Sequence, residues 1–586
     1  MPLPRLPGLL RILRLLALAA LAAPTIACAT FAATPPPDAT PASAHVPPTF
    51  TIPLPTLPAS ARGESFQNPV IPGFSPDPSI VRVGEDFYLV CSTFEYFPGV
   101  PIYHSRDLVH WQLIGHCLTR PEQLPLGTCG PSSGIYAPTL RHHDGVFYMI
   151  TTNYASKGVF YVTATDPRGP WSDPVWLGNT NVDPSLLFDD GGKTYLVHPD
   201  GGRYGLIYLM EMDMAKGRYA EGQKLPGKFL WAGTGGEYPE GPHLYKINGY
   251  YYLMIAEGGT GQQHRQTIAR SKSPWGPFWP WENNPILTHR DDHQNPISAT
   301  GHADLIQLAD GSWWSVFLGI RPKHGQSHLG RETFLAPVEW TRDAKDQFND
   351  AWPVIGGDRR AHLSGPGPAL PRHPFPPAPV RDEFDAPAPG LEWVHLRNPV
   401  AENYSLSARP GWLRLQGSAV TLDERASPAA LLRRQRHFDL ALATRIDFSP
   451  TRDGDEAGLT LRLNEALHAE LCLRRVDGVT RLLLRRTDRT EKIVLHDAAL
   501  PPAATGPLEL HVAADRDTFT FAYVLPDGTR HPAGTVASAD LAVEASWQRG
   551  ITCFTGLMVG VYATGNGQPA SVPADFAWFD YQPANP

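Results

Sequence analysis

Cysteine is scarce, with 6 in 586 residues, and no two of them stand at the spacing of zinc ligands. No long basic run is present and the net charge is −8, which argues against nucleic acid as a partner. Beyond the first thirty residues no apolar stretch is long enough to cross a bilayer. What remains is a mildly acidic chain, 42% hydrophobic and 10% aromatic. That supports sizeable cores and suits neutral ligands that stack on rings, sugars foremost. The chain is too long for one ordinary domain, and two large ones are expected.

The start reads as an address. Arg5, Arg11 and Arg14 form a positive region, Leu15 to Ala23 an apolar one, and Ala27-Cys28-Ala29 a small-residue cleavage site. Residues 1–29 are therefore read as a signal peptide, and the protein as exported, periplasmic or secreted. The alternative is a lipoprotein signal, with Cys28 acylated and anchored in an outer membrane. Residues 30–64 are rich in proline and read as a linker. Cys117 and Cys129 bracket a Pro/Gly-rich loop and form either a disulfide or two buried thiols; Cys91, Cys472 and Cys553 lie in apolar strand patterns and read as core.

A short unit then recurs five times: a turn followed by aromatic or apolar residues. It reads Glu85-Asp86-Phe87-Tyr88, Asp144-Gly145-Val146-Phe147-Tyr148, Gly191-Gly192-Lys193-Thr194-Tyr195, Asn248-Gly249-Tyr250-Tyr251-Tyr252 and Asp310-Gly311-Ser312-Trp313-Trp314. Each is a hairpin signal. The final aromatics are separated by 60, 47, 57 and 62 residues, the period of a β-propeller. Five periods predict five blades over residues 65–360. A Pro-rich linker follows at 361–380. From 381 to 586 short alternating strands, such as Leu459-Thr460-Leu461-Arg462-Leu463, predict a second all-β domain, a β-sandwich. The fold class is all-β.

Counting back from each anchor aromatic, eleven residues before Tyr88 stands Asp77. Twelve before the others stand Tyr136, Asp183, Glu240 and His302. Equivalent blades would bring these five to one face of the central channel. Three carboxyl groups meeting there suit glycoside hydrolysis. That reaction needs one protonated acid for the leaving oxygen and one carboxylate acting on the anomeric carbon or on water. A third can tune the other two. Asp77-Pro78-Ser79 and Asp183-Pro184-Ser185 share a core, and the proline is expected to hold each aspartate in extended backbone.

The segments from Asn68 to Ser79 (Asn-Pro-Val-Ile-Pro-Gly-Phe-Ser-Pro-Asp-Pro-Ser), Cys91 to Gly99, Tyr238 to Tyr245 and Gly330-Arg331-Glu332-Thr333 resemble glycoside hydrolase family 43, in its β-xylosidase and α-L-arabinofuranosidase members. Leu391-Glu392-Trp393 and Leu396-Arg397-Asn398-Pro399 resemble the concanavalin-like, jelly-roll sandwich that follows the propeller in these enzymes. The resemblance implies Asp77 as general base, Glu240 as general acid and Asp183 as the residue that tunes and orients the acid, in a single inverting displacement. It implies Arg321 and Phe94 as sugar contacts. It also implies His302 at the centre, touching substrate and a calcium ion or water in the channel; no cofactor is required. Tyr136-Ala137-Pro138-Thr139 departs from the Trp-Ala-Pro-His usual in xylosidase-leaning members, which leaves xylose and arabinofuranose both open.

The expected activity is exo-acting removal of terminal xylosyl or arabinofuranosyl units from xylo- or arabino-oligosaccharides. An endo-acting arabinanase-like propeller and a non-catalytic carbohydrate-binding propeller are the alternatives. A retaining fructosidase is disfavoured by the lack of an Asn-Asp-Pro-Asn-Gly-like segment. Arg141-His142-His143-Asp144 reads as a hairpin turn rather than a metal site. Trp275, Trp279 and Trp281 read as packing between blades.

Overall fold

The computed structural model describes residues 63–178, 181–342, 351–501 and 506–584. The expected signal peptide, Cys28 and nearly all of the linker at 30–64 lie outside these residues.

Five antiparallel sheets follow one another along the chain, each wound from consecutive strands. Their innermost strands are Ser79–Val83, Thr139–His143, Ser185–Phe188, Glu240–Ile247 and Ser298–Gln307. Each packs on the next, and the fifth packs on the first, so the sheets close into a propeller ring. The recurrent units are the hairpins between first and second strands, pairing Val83 with Asp86, His143 with Val146, Phe188 with Thr194, Ile247 with Tyr250 and Gln307 with Trp313. Two of the turns need left-handed backbone at both corners. Asp144-Gly145 has φ of 48° and 78°, and Asn248-Gly249 has 50° and 77°, the geometry that matches strand twist.

The ring is fastened at its ends. Ser65–Gln67 pairs with Ser364–Pro366. The Asn68 side chain donates to Leu335 O (2.8 Å) and His362 O (2.9 Å) and accepts from Leu335 N–H (2.9 Å). Between blades, Trp281 stacks on Trp352 and Trp275 meets Tyr195 edge-on, as expected of them. Trp279 is instead 68% exposed.

At the hub, fully buried Asp304 of the fifth sheet gathers the inner strands of the first, second and fourth sheets. Its carboxylate accepts from Ser79 Oγ (2.8 Å), Ile80 N–H (3.1 Å), Arg141 Nη1 (3.0 Å) and Tyr245 OH (2.6 Å). Arg141 also donates to His243 Nδ1 at 2.9 Å. The group read as a bare turn thus sends its arginine inward to the hub.

The second domain packs an eight-stranded sheet on a six-stranded one. Leu459, Leu461 and Leu463 alternate into the core between the two sheets, with Leu442, Leu510 and Phe579 from the eight-stranded one. Asp477-Gly478 closes one of its hairpins, with φ of 50° and 77°. Val543–Gln548 is the one α-helix among the described residues. The domains are joined by sheet pairing, Tyr96–Phe97 with His395–Leu396. They also meet where two glycines touch: a Cβ on Gly330 would lie 2.9 Å from Gly556 Cα. Cys117 and Cys129 are both free thiols, and Cys91, Cys472 and Cys553 are buried.

Asp304→Ala would leave the Arg141 guanidinium unpaired beside a buried hub. The expected loss is about 3–5 kcal/mol of stability, read by urea unfolding. A loss under about 1 kcal/mol would show that the hub is not a fastening.

Candidate active site

The strand registers explain why the five in-register residues converge. Each anchor aromatic pairs across its hairpin with a partner on the inner strand: Val81, Arg141, Leu187, Tyr245 and Ile306. The candidate residue lies four or five positions ahead of that partner: Asp77, Tyr136 and Asp183 before their strands, Glu240 at the first residue of its strand, and His302 inside its strand at a break in the register. Asp77, Asp183 and His302 adopt left-handed backbone there, with φ of 55°, 47° and 49°. This corrects the expected extended geometry: the following proline excludes right-handed helix from the aspartates, but the backbone goes to the opposite side of φ. Such strain in non-glycine residues costs about 1–3 kcal/mol each and persists where packing enforces it. Glu240 reaches the same place by a bulge, and Gly241, at φ 55°, takes the strain. A Cβ on Gly241 would lie 2.8 Å from His302 Nε2, so only glycine lets the imidazole pack there.

All five residues line one pocket, with Phe94, Ala137, Val182, Thr260, Arg331 and Phe554. Asp77 accepts from Ser92 Oγ at 2.6 Å and from Arg331 Nη1 at 2.8 Å, and His302 Nδ1 lies 3.6 Å away. Phe94 meets Tyr136 edge-on at 5.3 Å, and Phe554 lies 5.7 Å from Phe94. Phe554 comes from the sandwich domain. Its N–H donates to Ser132 Oγ at 2.7 Å and its carbonyl accepts from Arg331 Nη2 at 3.3 Å.

The three carboxyl groups are driven apart electrostatically. Burial pushes Asp77 up, but Arg331, His302 and the Ser92 hydroxyl together outweigh it and hold the carboxyl below its usual range. Burial raises Asp183, His302 opposes that, and the charge of Asp77 adds to it; the net direction is upward. Burial, Asp183 and Asp77 all push Glu240 well above the usual carboxylate range, and Arg331 only partly offsets them. One pocket therefore holds an ionised carboxylate and a carboxylic acid, the division of labour that acid–base hydrolysis needs.

Residues 66–345 match the family model for glycosyl hydrolases family 43, and residues 381–582 match the β-xylosidase C-terminal concanavalin A-like domain. The chain is 48% identical over 524 residues to the non-reducing end α-L-arabinofuranosidase BoGH43B of Bacteroides ovatus, covering 89% of this chain and 95% of that one. The chain belongs to glycoside hydrolase family 43. It is also 37% identical over 530 residues to a xylosidase/arabinosidase of Butyrivibrio fibrisolvens, covering 87% of this chain and 98% of that one. The solved structure of the Bacteroides ovatus xyloglucan PUL GH43B superposes with a TM-score of 0.83 at 47% identity, covering 89% of this chain and all of that one.

Within this family 43 pocket, one expected contact is corrected. Arg321 does not line it. Gly319 pairs with Glu332 across the fifth sheet, and Arg321 nearby is spent in a two-pronged pair with that carboxylate, at 2.7 and 2.8 Å. Glu332 also accepts from Gly73 N–H at 2.8 Å. The arginine in the pocket is Arg331, from the same Gly-Arg-Glu-Thr segment that carried the resemblance. Its place in that motif was a usable signal. Phe554 had none, because only domain packing brings it to the pocket.

The donor set around His302 does not suit calcium, which takes six to eight oxygen ligands. Its neighbours are the Gly241 backbone, the neutral imidazole of His264, whose burial drives its pKa to about 3, the Asp183 carboxyl and an Asp77 carboxylate already engaged by Arg331, too few oxygens for that ion. No cluster of three or more metal-ligating side chains occurs among the described residues.

In Arg331→Met the Asp77 carboxyl should titrate at higher pH than in the parent, followed by carboxyl carbon NMR. An unmoved Asp77 would mean that Ser92 and His302 suffice to hold it.

Proposed function

We propose that this family 43 enzyme is an exo-acting, inverting hydrolase that releases single terminal xylosyl or arabinofuranosyl units from xylan- or arabinan-derived oligosaccharides. The observation that carries the reading is the opposed charge state of Asp77 and Glu240 in one pocket. Glu240, kept protonated, gives its proton to the glycosidic oxygen as the bond to the anomeric carbon breaks. Asp77, kept ionised, takes a proton from a water molecule that attacks the same carbon from the opposite face. One displacement inverts the anomeric centre, leaving Asp77 protonated and Glu240 ionised until they exchange protons with solvent. Asp183 keeps Glu240 protonated by its proximity, and its own carboxyl accepts from Gly241 N–H, the residue after the acid.

Phe94, Tyr136 and Phe554 offer ring faces to the terminal sugar, and Arg331 and His302 offer polar contacts. A pocket walled on one side by the sandwich domain favours chain ends over mid-chain cleavage. Tyr136 in place of an indole, with the similarity to an arabinofuranosidase, favours arabinofuranose as the preferred unit. We read residues 1–29 as an export leader, which would put the reaction outside the cytoplasm.

Nitrophenyl α-L-arabinofuranoside and β-D-xylopyranoside, assayed side by side, name the preferred sugar. Glu240→Ala and Asp77→Ala should each lower kcat/KM by about 10²–10⁴; variants that keep parental activity would remove the assignment. Proton NMR of the first product should show the inverted anomer. The pH profile should be a bell. Activity falls with decreasing pH as Asp77 protonates, below the ordinary carboxylate range, and falls with increasing pH as Glu240 ionises, well above it. Because the groups interact, the two limbs belong to the set of carboxyls together.

A further inference from the structure

Two tyrosines on linked loops, one of them two residues ahead of Glu240, are turned toward solvent and stack on no other aromatic ring among the described residues. Tyr238 is 42% exposed and Tyr204 is 70% exposed. Tyr238 stands two residues ahead of Glu240, in left-handed backbone with φ 51°, which for a large aromatic residue is a costly conformation. Its ring lies over Gly259, where an added Cβ would come within 3.2 Å of it. The residue after that glycine, Thr260, lines the pocket.

The loop carrying Tyr204 is tied to this one. Tyr238 N–H donates to Arg203 O at 2.6 Å, the Arg203 guanidinium pairs with Glu237 at 2.5 Å, and Tyr204 OH reaches the same Glu237 carboxylate at 3.4 Å. A backbone bond, an ion pair and a left-handed residue thus hold the two rings in place, Tyr238 over Gly259 and Tyr204 with the Arg203 guanidinium 5.6 Å from its centre. The ring surface left in water suits a ligand that stacks on rings.

We propose that Tyr238 and Tyr204 form a platform for the sugars of the leaving group. This rests on the function proposed above. The acid must meet the glycosidic oxygen, so the departing glycan emerges next to Glu240, and the ring nearest along the chain is Tyr238. Tyr204, farther along the same clamp, meets the sugar beyond. The C–H faces of pyranose and furanose rings stack on tyrosine, and the Tyr204 hydroxyl is already occupied by Glu237. Recognition there is by ring face rather than by hydroxyl.

The test compares the parent, Tyr204→Ala and Tyr204→Phe on a nitrophenyl glycoside and on a linear pentose trisaccharide of the preferred sugar. Tyr204 is exposed, so neither substitution threatens the fold. Tyr204→Ala should raise KM for the trisaccharide about three- to tenfold more than for the nitrophenyl glycoside, with kcat little changed, and Tyr204→Phe should restore it. Equal effects on both substrates, no effect, or a phenylalanine variant as poor as the alanine one would overturn the platform. If the parent cleaves neither substrate, the hydrolase reading fails separately. The platform is then judged by calorimetric affinity for the same trisaccharide: weaker binding by Tyr204→Ala sustains it and unchanged binding overturns it.

Discussion

The Arg331 guanidinium is the point on which the pocket and the domain junction both depend. It holds Asp77 ionised in a place where burial alone would protonate it. It lies over the rings of Phe94 and Phe554, so one charge bridges a propeller loop and a sandwich loop. It also donates to the Phe554 carbonyl, fixing the ring that walls the pocket. A lysine, with a point charge and no planar fork, could not make the ion pair, the carbonyl bond and the two ring contacts together.

Three carboxyl groups in a small buried volume are costly unless their charges are spread unequally. One cation and one imidazole stand against three acids, so the lowest-energy arrangement keeps Asp77 charged and leaves Glu240 its proton. The rigid ring prevents escape. Asp304 and Arg141 pin four of the five inner strands at the hub, and strained backbone at Asp77 and Asp183, ahead of their strands, and at His302, within its own, sets the side chains. Chemistry at the mouth therefore rests on polar fastening farther along the same strands.

Much of this was legible in the chain. The hairpin period located the five sheets, and its register located Asp77, Tyr136, Asp183, Glu240 and His302 as one set, all of which line the pocket. Local rules suffice for that, because turn chemistry and strand alternation act over a few residues and the repeat multiplies the signal. Two expectations failed. The resemblance made Arg321 a sugar contact, yet the strand pairing hands it to Glu332, 11 residues on. Proline was expected to keep the aspartates extended, while tertiary packing holds them left-handed.

The sequence by itself determined the all-β class, the five-fold repeat and the identity of the three acids, since each is written in periodic or contiguous residues. The tertiary structure decided between Arg321 and Arg331, a choice the Gly-Arg-Glu-Thr motif only hinted at, and it alone decided that Phe554 closes the pocket and which carboxyl keeps its proton. The reason is the same for all three. Burial and Coulomb interaction depend on distances between residues that are 91 positions apart, from Glu240 to Arg331, or 223 apart, from Arg331 to Phe554. No local pattern encodes those distances.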